Sequence, residues 1–302
     1  MLAFNTLNNR YILRGILQFD TAAHIGSGLG NQLADSLFVR SNDTFYVPGS
    51  SLRGALRSTV DRVAAGLTAG VGSALETTCF LDTNGGSRCF SARQGRPEDL
   101  EKWHNERRPD KFIFEQMVAG GHLCRVCRLF GSPYMASKLK VLDSFPTASL
   151  PSRGSIRTGI GIDRDTEAVR EGVLFEVEVL DTQPAFQVEI MAENLETENP
   201  DDWGLLALGI LEMTRESFYL GAKSASGLGK CHLIRDSIMI EGFEGPEQLK
   251  NFVTDAGFAQ KYDHASATTA MEFLKRKLTL FLDSIESKPT NPSDSASAKK
   301  ES

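Results

Sequence analysis

The sequence lacks the features of a membrane protein and of a protein covered in basic side chains. No uninterrupted apolar run approaches the roughly 20 residues that are needed to cross a bilayer, and residues 1–10 lack the charged and apolar sections of a signal peptide. We therefore expect a cytoplasmic protein with no membrane partner. The net charge of -6 argues against a nonspecific duplex binder. RNA remains a candidate partner, because phosphate binding needs only a local positive surface.

Cysteine is scarce, with 5 residues in a chain of 302. A disulfide framework is not expected, because the cytosol keeps thiols reduced. Cys124 and Cys127 are separated by two residues, a spacing at which both thiolates reach one tetrahedral zinc. The expected ligands are Cys79, Cys89, Cys124 and Cys127. His104 or His122 is the alternative to one of these cysteines. We predict a structural zinc site, and plain burial of the thiols is the alternative.

The spacing of apolar residues predicts the order strand, helix, hairpin, helix, strand. The corresponding segments are residues 11–19, 52–63, 175–179 with 186–190, 203–211 and 231–240. This order indicates an α+β fold with a ferredoxin-like (RRM-like) core, in which two helices cover one face of an antiparallel sheet. Residues 64–121 have poor periodicity and indicate an insertion into this core.

The first motif that suggests chemistry is the glycine-rich stretch 24–30, which is followed by Asp35. Glycines let backbone amides approach a phosphate, and a nearby carboxylate can hold a divalent cation or accept a proton. The alternative is a simple turn with a solvated or capping aspartate.

The second motif, residues 48–57, opens the first predicted helix. Ser50 or Ser51 is expected to cap this helix, whose free amides suit a phosphate, and Arg53 and Arg57 project from the same side. A solvated helix face is the alternative.

The third motif, residues 221–230, is rich in glycine and contains Lys223 and Lys230. It lacks the spacing of a nucleotide-binding P-loop and precedes a strand instead of a helix, so an ATPase is not expected. Backbone phosphate contact and a tight turn both remain open.

Together these motifs resemble the RAMP superfamily, and most closely the backbone subunit of type III CRISPR effector complexes. The resemblance is carried in order by residues 24–30, 35–40, 47–57, 124–131, 159–166, 171–176 and 224–229. It implies a subunit that stacks along a CRISPR guide RNA and cuts the paired target RNA with a divalent cation, expected to be magnesium. The implied protein partners are other backbone subunits and the large, small and capping subunits of the complex.

The resemblance also assigns roles to residues. Asp35 stands at the place of the family's catalytic aspartate, although the chain has Leu33 and Ala34 where the family has glycines. The expected RNA-binding residues are His24, Gly26, Arg40, Ser50, Ser51, Arg53, Arg57, Arg157, Arg164, Lys223, Ser224, Gly227 and Gly229.

By the same resemblance we expect a core with two large insertions. The expected parts are a ferredoxin-like core of residues 1–63 and 174–245, a zinc-binding lid of 64–131 and a thumb-like hairpin of 132–173. Apart from the resemblance, apolar spacing indicates a helical extension of 246–285, which exceeds the family pattern, and composition indicates a disordered tail of 286–302.

Two other functions fit a chain of this kind. One is a noncatalytic RNA-binding and assembly subunit of the same complex, which the missing glycines before Asp35 favour. The other is a stand-alone guide-processing nuclease of the same superfamily. Such nucleases usually duplicate the ferredoxin-like core, whereas this sequence shows one clear copy and one late glycine-rich loop.

Overall fold

The computed structural model describes residues 6–28, 30, 34–68, 77–79, 123–132 and 135–286. In chain order its strands are β1 (Asn9–Phe19), β2 (Arg40–Ser41), β3 (Thr44–Phe45), β4 (Leu139–Val141), β5 (Ser155–Ile162), β6 (Val169–Val179), β7 (Ala185–Glu193), β8 (Cys231–Leu233), β9 (Met239–Glu244) and β10 (Gln260–Tyr262). Its helices are α1 (Gly49–Thr68), α2 (Arg125–Phe130), α3 (Asp201–Met213), α4 (Gly245–Asn251) and α5 (Ala270–Glu286). The expected α+β class is confirmed.

The main sheet is antiparallel and has the order β10-β9-β1-β7-β4, with β8 also paired to β1. Its central strand, β1, alternates as the sequence predicts. Tyr11, Leu13 and Leu17 are buried in the main core, whereas Arg14 and Gln18 at alternate positions of the strand are only partly buried. Because side chains of a strand point alternately to the two faces, β1 contributes one apolar face and one polar face.

Helices α1 and α3 pack against each other over the apolar face of the sheet, and α5 packs against α3 and also contacts Tyr262 of β10. Two glycines of α3 allow these close contacts. A Cβ atom at Gly209 would lie 2.6 Å from Cδ1 of Leu56 on α1, and one at Gly204 would lie 2.1 Å from Cβ of Phe281 on α5. Because α3 is covered by the sheet and by two helices, it is buried along almost its whole length.

A second, two-stranded sheet is formed by β5 and β6, which we call the long hairpin. Its register shifts between Ile160 and Ile162, which is a bulge or a similar irregularity. The hairpin carries large exposed apolar side chains, namely Ile156, Ile160, Ile162, Val169 and Leu174. It is joined to the rest of the chain near its root, where isolated bridges link Ser36 to Val177 and Ala23 to Leu180.

The predicted hairpin between residues 175–179 and 186–190 is wrong. Both segments are strands, but β6 pairs with β5, and β7 pairs with β1 and β4. Alternation identifies a strand without identifying its partner, and β4 has only 3 residues, too few for the alternation to be visible. β4 lies within residues 132–173, the segment predicted to form the thumb. The first helix, α1, continues to Thr68, beyond its predicted end at residue 63.

Candidate functional site

Asp35 is exposed, and its position is set by β6. Its backbone N–H donates to the carbonyl oxygen of Glu176 at 2.9 Å, and the N–H of Glu176 donates back to Oδ2 of Asp35 at 2.7 Å. The next residue, Ser36, forms a parallel bridge with Val177. An exposed carboxylate is thereby held at the root of the long hairpin.

His24 is buried directly beside this segment, with 2% of its surface exposed. Its Nδ1 lies 2.6 Å from the carbonyl oxygen of Glu178, and its Nε2 lies 3.2 Å from Oγ of Ser36. A carbonyl oxygen only accepts hydrogen bonds, so Nδ1 carries the proton, and in the neutral ring Nε2 accepts from the serine hydroxyl. His24 therefore joins β6 to the segment that carries Asp35. Gly26 bridges Phe38 in the same segment.

Arg40 also faces the root of the hairpin. One of its guanidinium nitrogens donates to Oε1 of Glu178 on β6, and the guanidinium carbon lies 4.1 Å from the centre of the Phe45 ring. Burial raises the pKa of the Glu178 carboxyl group, but hydrogen bonds from Arg40 and from backbone N–H groups outweigh burial, so its pKa lies below the usual value. Glu178 is not recognisable from the sequence, because a glutamate in an alternating strand has the pattern of a solvated residue.

The glycine-rich loop after α3 packs against the same place. Lys223, Gly227 and Gly229 have positive φ angles of 60°, 83° and 79°, and residues Ser224–Ser226 form an exposed 3₁₀ turn between them. The ammonium nitrogen of Lys223 lies 3.4 Å from the centre of the Phe175 ring on β6. This contact is a cation–π interaction between the loop and the hairpin.

The start of α1 differs from its prediction. Ser50 and Ser51 lie inside the first turn of a helix that begins at Gly49, so the expectation that one of them caps α1 is wrong. The first helical N–H, that of Gly49, donates instead to Oδ1 of Asp143 at 2.7 Å. Asp143 comes from a segment far away in the sequence, so local sequence signals could not identify it. The side chain of Ser50 is exposed, and that of Ser51 is partly buried.

Arg53 and Arg57 contact the end of α2. Arg53 donates to the carbonyl oxygen of Phe130, and Arg57 donates to that of Gly131 at 2.9 Å and to Sγ of Cys127 at 3.2 Å. Carbonyl groups at a helix C-terminus carry partial negative charge, which favours cations there. In this structure both arginines hold the cysteine-bearing helix against α1.

Three of the predicted metal ligands come together. The Sγ atoms of Cys79, Cys124 and Cys127 all lie within 4.8 Å of one another, and those of Cys79 and Cys127 are 3.3 Å apart. Tetrahedral zinc with Zn–S bonds of about 2.3 Å places its sulfur atoms about 3.8 Å apart, so this cluster can hold such a metal ion. Cys89 lies outside the described residues, as do the alternative ligands His104 and His122.

Basic residues near the cysteines are not on the surface. Lys138 is 2% exposed and its Nζ lies 2.5 Å from Oδ2 of the buried Asp202. Arg125 and Arg128 each lie 3.2 Å from Oδ2 of Asp201. These cations join α2 and β4 to the start of α3, and sequence alone did not reveal that their partners are Asp201 and Asp202.

Arg157 and Arg164 on the long hairpin are exposed, in contrast to the basic residues near the cysteines. Arg157 lies on β5, and Arg164 follows that strand. Asp165 and Glu167, close to Arg164 in the chain, are exposed as well, so the hairpin surface combines charges of both signs with exposed isoleucines.

Comparison with family models identifies the chain as a member of the RAMP superfamily, with a match over residues 16–232. The match includes Asp35, the glycine-rich loop and the long hairpin. Membership of this family points to a CRISPR-associated RNA-binding subunit. Comparison with curated proteins gave no match. Among the described residues, no helix is both long enough and apolar enough to cross a membrane.

Proposed function

We propose that the chain is a guide-RNA-binding backbone subunit of a type III CRISPR interference complex and that it cleaves guide-paired target RNA as a metal-dependent endoribonuclease. The observation that carries this proposal is the exposed carboxylate of Asp35, held at the root of an exposed hairpin. Superfamily membership supports the RNA-binding part of the proposal.

The fold supports a ferredoxin-like core for this subunit. Strands β9, β1, β7 and β4 are neighbours in that order, and α1 and α3 both pack over one face of the sheet. In a ferredoxin-like arrangement these would be the fourth, first, third and second core strands. The long hairpin would then be inserted between β4 and β7 and serve as the thumb.

The chemistry proposed for Asp35 is the cleavage of a phosphodiester next to a splayed nucleotide. The exposed apolar residues of the long hairpin, such as Ile160 and Leu174, would separate the bases. The 2′-oxygen of the splayed nucleotide would then attack the phosphorus of its 3′-phosphate and form a 2′,3′-cyclic phosphate. The bond from phosphorus to the 5′-oxygen of the next nucleotide would break, and that oxygen would take a proton from water. Asp35 would accept the proton of the 2′-hydroxyl or hold a magnesium ion. Such an ion would stabilise the charge that develops on the phosphate.

RNA would contact the exposed members of the predicted set. Arg157 and Arg164 on the hairpin, Ser224 in the glycine-rich loop and Ser50 at the start of α1 are exposed to phosphates, and Lys223, whose ammonium group lies over Phe175, is partly exposed beside them. The side chains of His24, Arg40, Arg53 and Arg57 make internal contacts, so their contribution would be to shape the surface.

Zinc is the metal we propose for the cysteine cluster, with Cys89 as the fourth ligand. Three convergent thiols support this choice, because thiolate ligands in a tetrahedral set select zinc. The site would hold the segment around α2 as a lid beside α1. The proposed partners of the assembled subunit are guide RNA, target RNA, further backbone subunits and the large, small and capping subunits, and the proposed location is cytoplasmic.

A noncatalytic assembly subunit is the second candidate, and one observation favours it. Within the described part of the chain, the cysteine cluster is the only group of three or more potential metal ligands, so Asp35 belongs to no such group. A metal ion at Asp35 would take most of its ligands from RNA and water.

The test compares wild-type protein with Asp35→Asn in a complex assembled with guide RNA. The substitution removes the charge and keeps the shape, so we expect cleavage of target RNA to fall at least about 100-fold. Guide content and target affinity should stay the same. Cleavage at the wild-type rate would exclude a catalytic role for Asp35 and leave the assembly function.

A further inference from the structure

Glu178 connects three separate segments at the root of the long hairpin. Its carboxylate is 5% exposed and lies on β6. Oε2 accepts from the N–H of Phe38 at 3.0 Å, and Oε1 accepts from the N–H of Gly154 at 2.9 Å and from Arg40. Phe38 follows Asp35 in the chain, and Gly154 directly precedes β5.

The segment of residues 35–38 is attached to β6 at two points. At its start, Asp35 and Ser36 exchange hydrogen bonds with Glu176, and the N–H of Glu178 donates to the carbonyl oxygen of Ser36 at 3.0 Å. At its end, the N–H of Phe38 donates to the Glu178 side chain. Among the described residues, this is the only hydrogen bond between Phe38 and β6. The direction of the Asp35 carboxylate therefore depends on the register of this segment against β6.

We propose that Glu178 is a positioning residue for the reaction assigned to Asp35. It holds the Asp35 segment in register with the long hairpin. The Asp35 carboxylate then keeps a fixed position relative to the splayed nucleotide. This inference rests on the proposed function. Glu178 itself does not contact RNA, because its carboxylate is buried and occupied by three donors.

The negative charge of Glu178 is needed for this role. A carboxylate only accepts hydrogen bonds, and here it accepts from two backbone N–H groups and one guanidinium. A glutamine amide would place its own NH₂ group against at least one of these donors. A buried donor without an acceptor is costly, so the segment would shift until the donors separate.

The experiment measures single-turnover cleavage by complexes that contain Glu178→Gln. A displacement of about 1 Å can reduce a reaction rate about 100-fold, so we expect a loss of about 10- to 100-fold at saturating target. Guide content and target affinity should not change. The matched control is Glu189→Gln, which breaks a glutamate–arginine pair with Arg14 on the polar face of the main sheet and should cleave like wild type.

Two further measurements test whether Glu178 acts through the position of Asp35. If Glu178 acts through Asp35, the double variant with Asp35→Asn should be no slower than Asp35→Asn alone. Hydrogen exchange of residues 35–38 should be faster in Glu178→Gln and unchanged in Glu189→Gln. Additive losses of rate, or unchanged exchange, would overturn the positioning role.

The failure of this inference is distinct from failure of the proposed function. Full cleavage by Asp35→Asn would overturn both. Full cleavage by Glu178→Gln alongside an inactive Asp35→Asn would overturn the inference alone. If Glu178→Gln does not yield complexes with normal guide content, Glu178→Asp replaces it, because it keeps the charge but is too short to reach all three donors. The same criteria then apply.

Discussion

Two regions of the chain carry arginine or lysine side chains whose charges the fold uses in opposite ways. Around α2 and β4, Arg125 and Lys138 are buried and paired with Asp201 and Asp202 of α3. On the long hairpin, residues 155–179, the basic side chains of Arg157 and Arg164 are exposed. The sequence shows cations in both regions, but the fold exposes the two arginines of the hairpin to solvent, where a phosphate can reach them.

This difference shows that burial decides what a basic stretch does. A buried cation must have a partner, because an unpaired buried charge costs several kcal/mol. An exposed cation costs little and can exchange its counterions for a phosphate. We therefore expect substitutions around α2 to change folding and substitutions on the hairpin to change RNA binding.

The largest expected effect concerns the metal in the first region. If Cys79, Cys124 and Cys127 hold zinc, the purified protein should contain about one zinc ion per chain, and Cys127→Ser should lose it. Binding of a structural zinc ion contributes about 10 kcal/mol or more in small peptides, so its removal should loosen the packing of α2 against α1. Metal analysis and hydrogen exchange of residues 123–132 are the measurements.

Cys231 provides the control for the zinc prediction. It is buried in β8, away from the cluster, and burial raises the pKa of its thiol. Cys231→Ala should keep the zinc. Protein prepared without chelator that contains no zinc would show that the three thiols are simply buried.

The next largest effect is expected at the buried ion pair of Lys138 and Asp202. Lys138→Met leaves the Asp202 carboxylate buried without its partner, so the free energy of unfolding should fall by about 3–5 kcal/mol. The control is Lys140→Met, two residues further along the chain in β4, where the lysine of the ion pair with Glu193 is exposed. That control should cost less than about 1 kcal/mol. Urea denaturation of both variants measures these free energies of unfolding. Equal losses in the two variants would contradict the difference between the buried and the exposed cation.

On the hairpin, Arg157→Ala and Arg164→Ala should leave stability within about 0.5 kcal/mol of wild type. RNA affinity should fall, and the slope of log affinity against log salt should flatten by about 0.7 for each phosphate that the variant no longer neutralises. Lys275→Ala, which removes an exposed cation on α5, is the control and should not change the slope. A titration that shows the wild-type slope for both arginine variants would remove the hairpin from the RNA-binding surface.

The smallest expected effect is on the pH dependence of the free energy of unfolding, through the contacts of Glu178 between the hairpin and the core. The folded-state pKa of Glu178 is lowered, since hydrogen bonds from Arg40, Gly154 and Phe38 outweigh the effect of burial. The unfolded-state value is about 4.3. The contribution of Glu178 is therefore fully present above that pH and is lost as pH falls through the lower folded value.

Denaturation of wild type and Glu178→Gln across the acid range measures this contribution. The difference in their free energies of unfolding should be constant above pH of about 5 and shrink below it. A difference that grows toward acid pH would show that Glu178 is not held as a carboxylate.

Strand and helix positions were predictable where periodicity was strong. The alternation of β1 and the helical repeat of α1 follow from which residues must be buried, and both elements are present. The partner of β6 was not predictable, because an alternating strand carries no record of which strand it pairs with. The three residues of β4 are too few to show any period.

The candidate site was predictable in part. The sequence selected His24, Asp35 and Lys223, which the fold places around the root of the hairpin. It did not select Glu178, since a glutamate in an alternating strand has the pattern of a solvated residue. Nor could it show that Arg53 and Arg57 contact the end of α2, because those contacts join residues 70 or more positions apart.

The sequence by itself determined the class of the fold, the RAMP superfamily and the pairing of a glycine-rich stretch with Asp35, since these depend on local residue types and their order. The tertiary structure decided which charges are buried, which cysteines converge and which backbone N–H groups hold Asp35 and Glu178. Burial and hydrogen-bond partners depend on segments that are distant in the chain, so the folded arrangement alone specifies them.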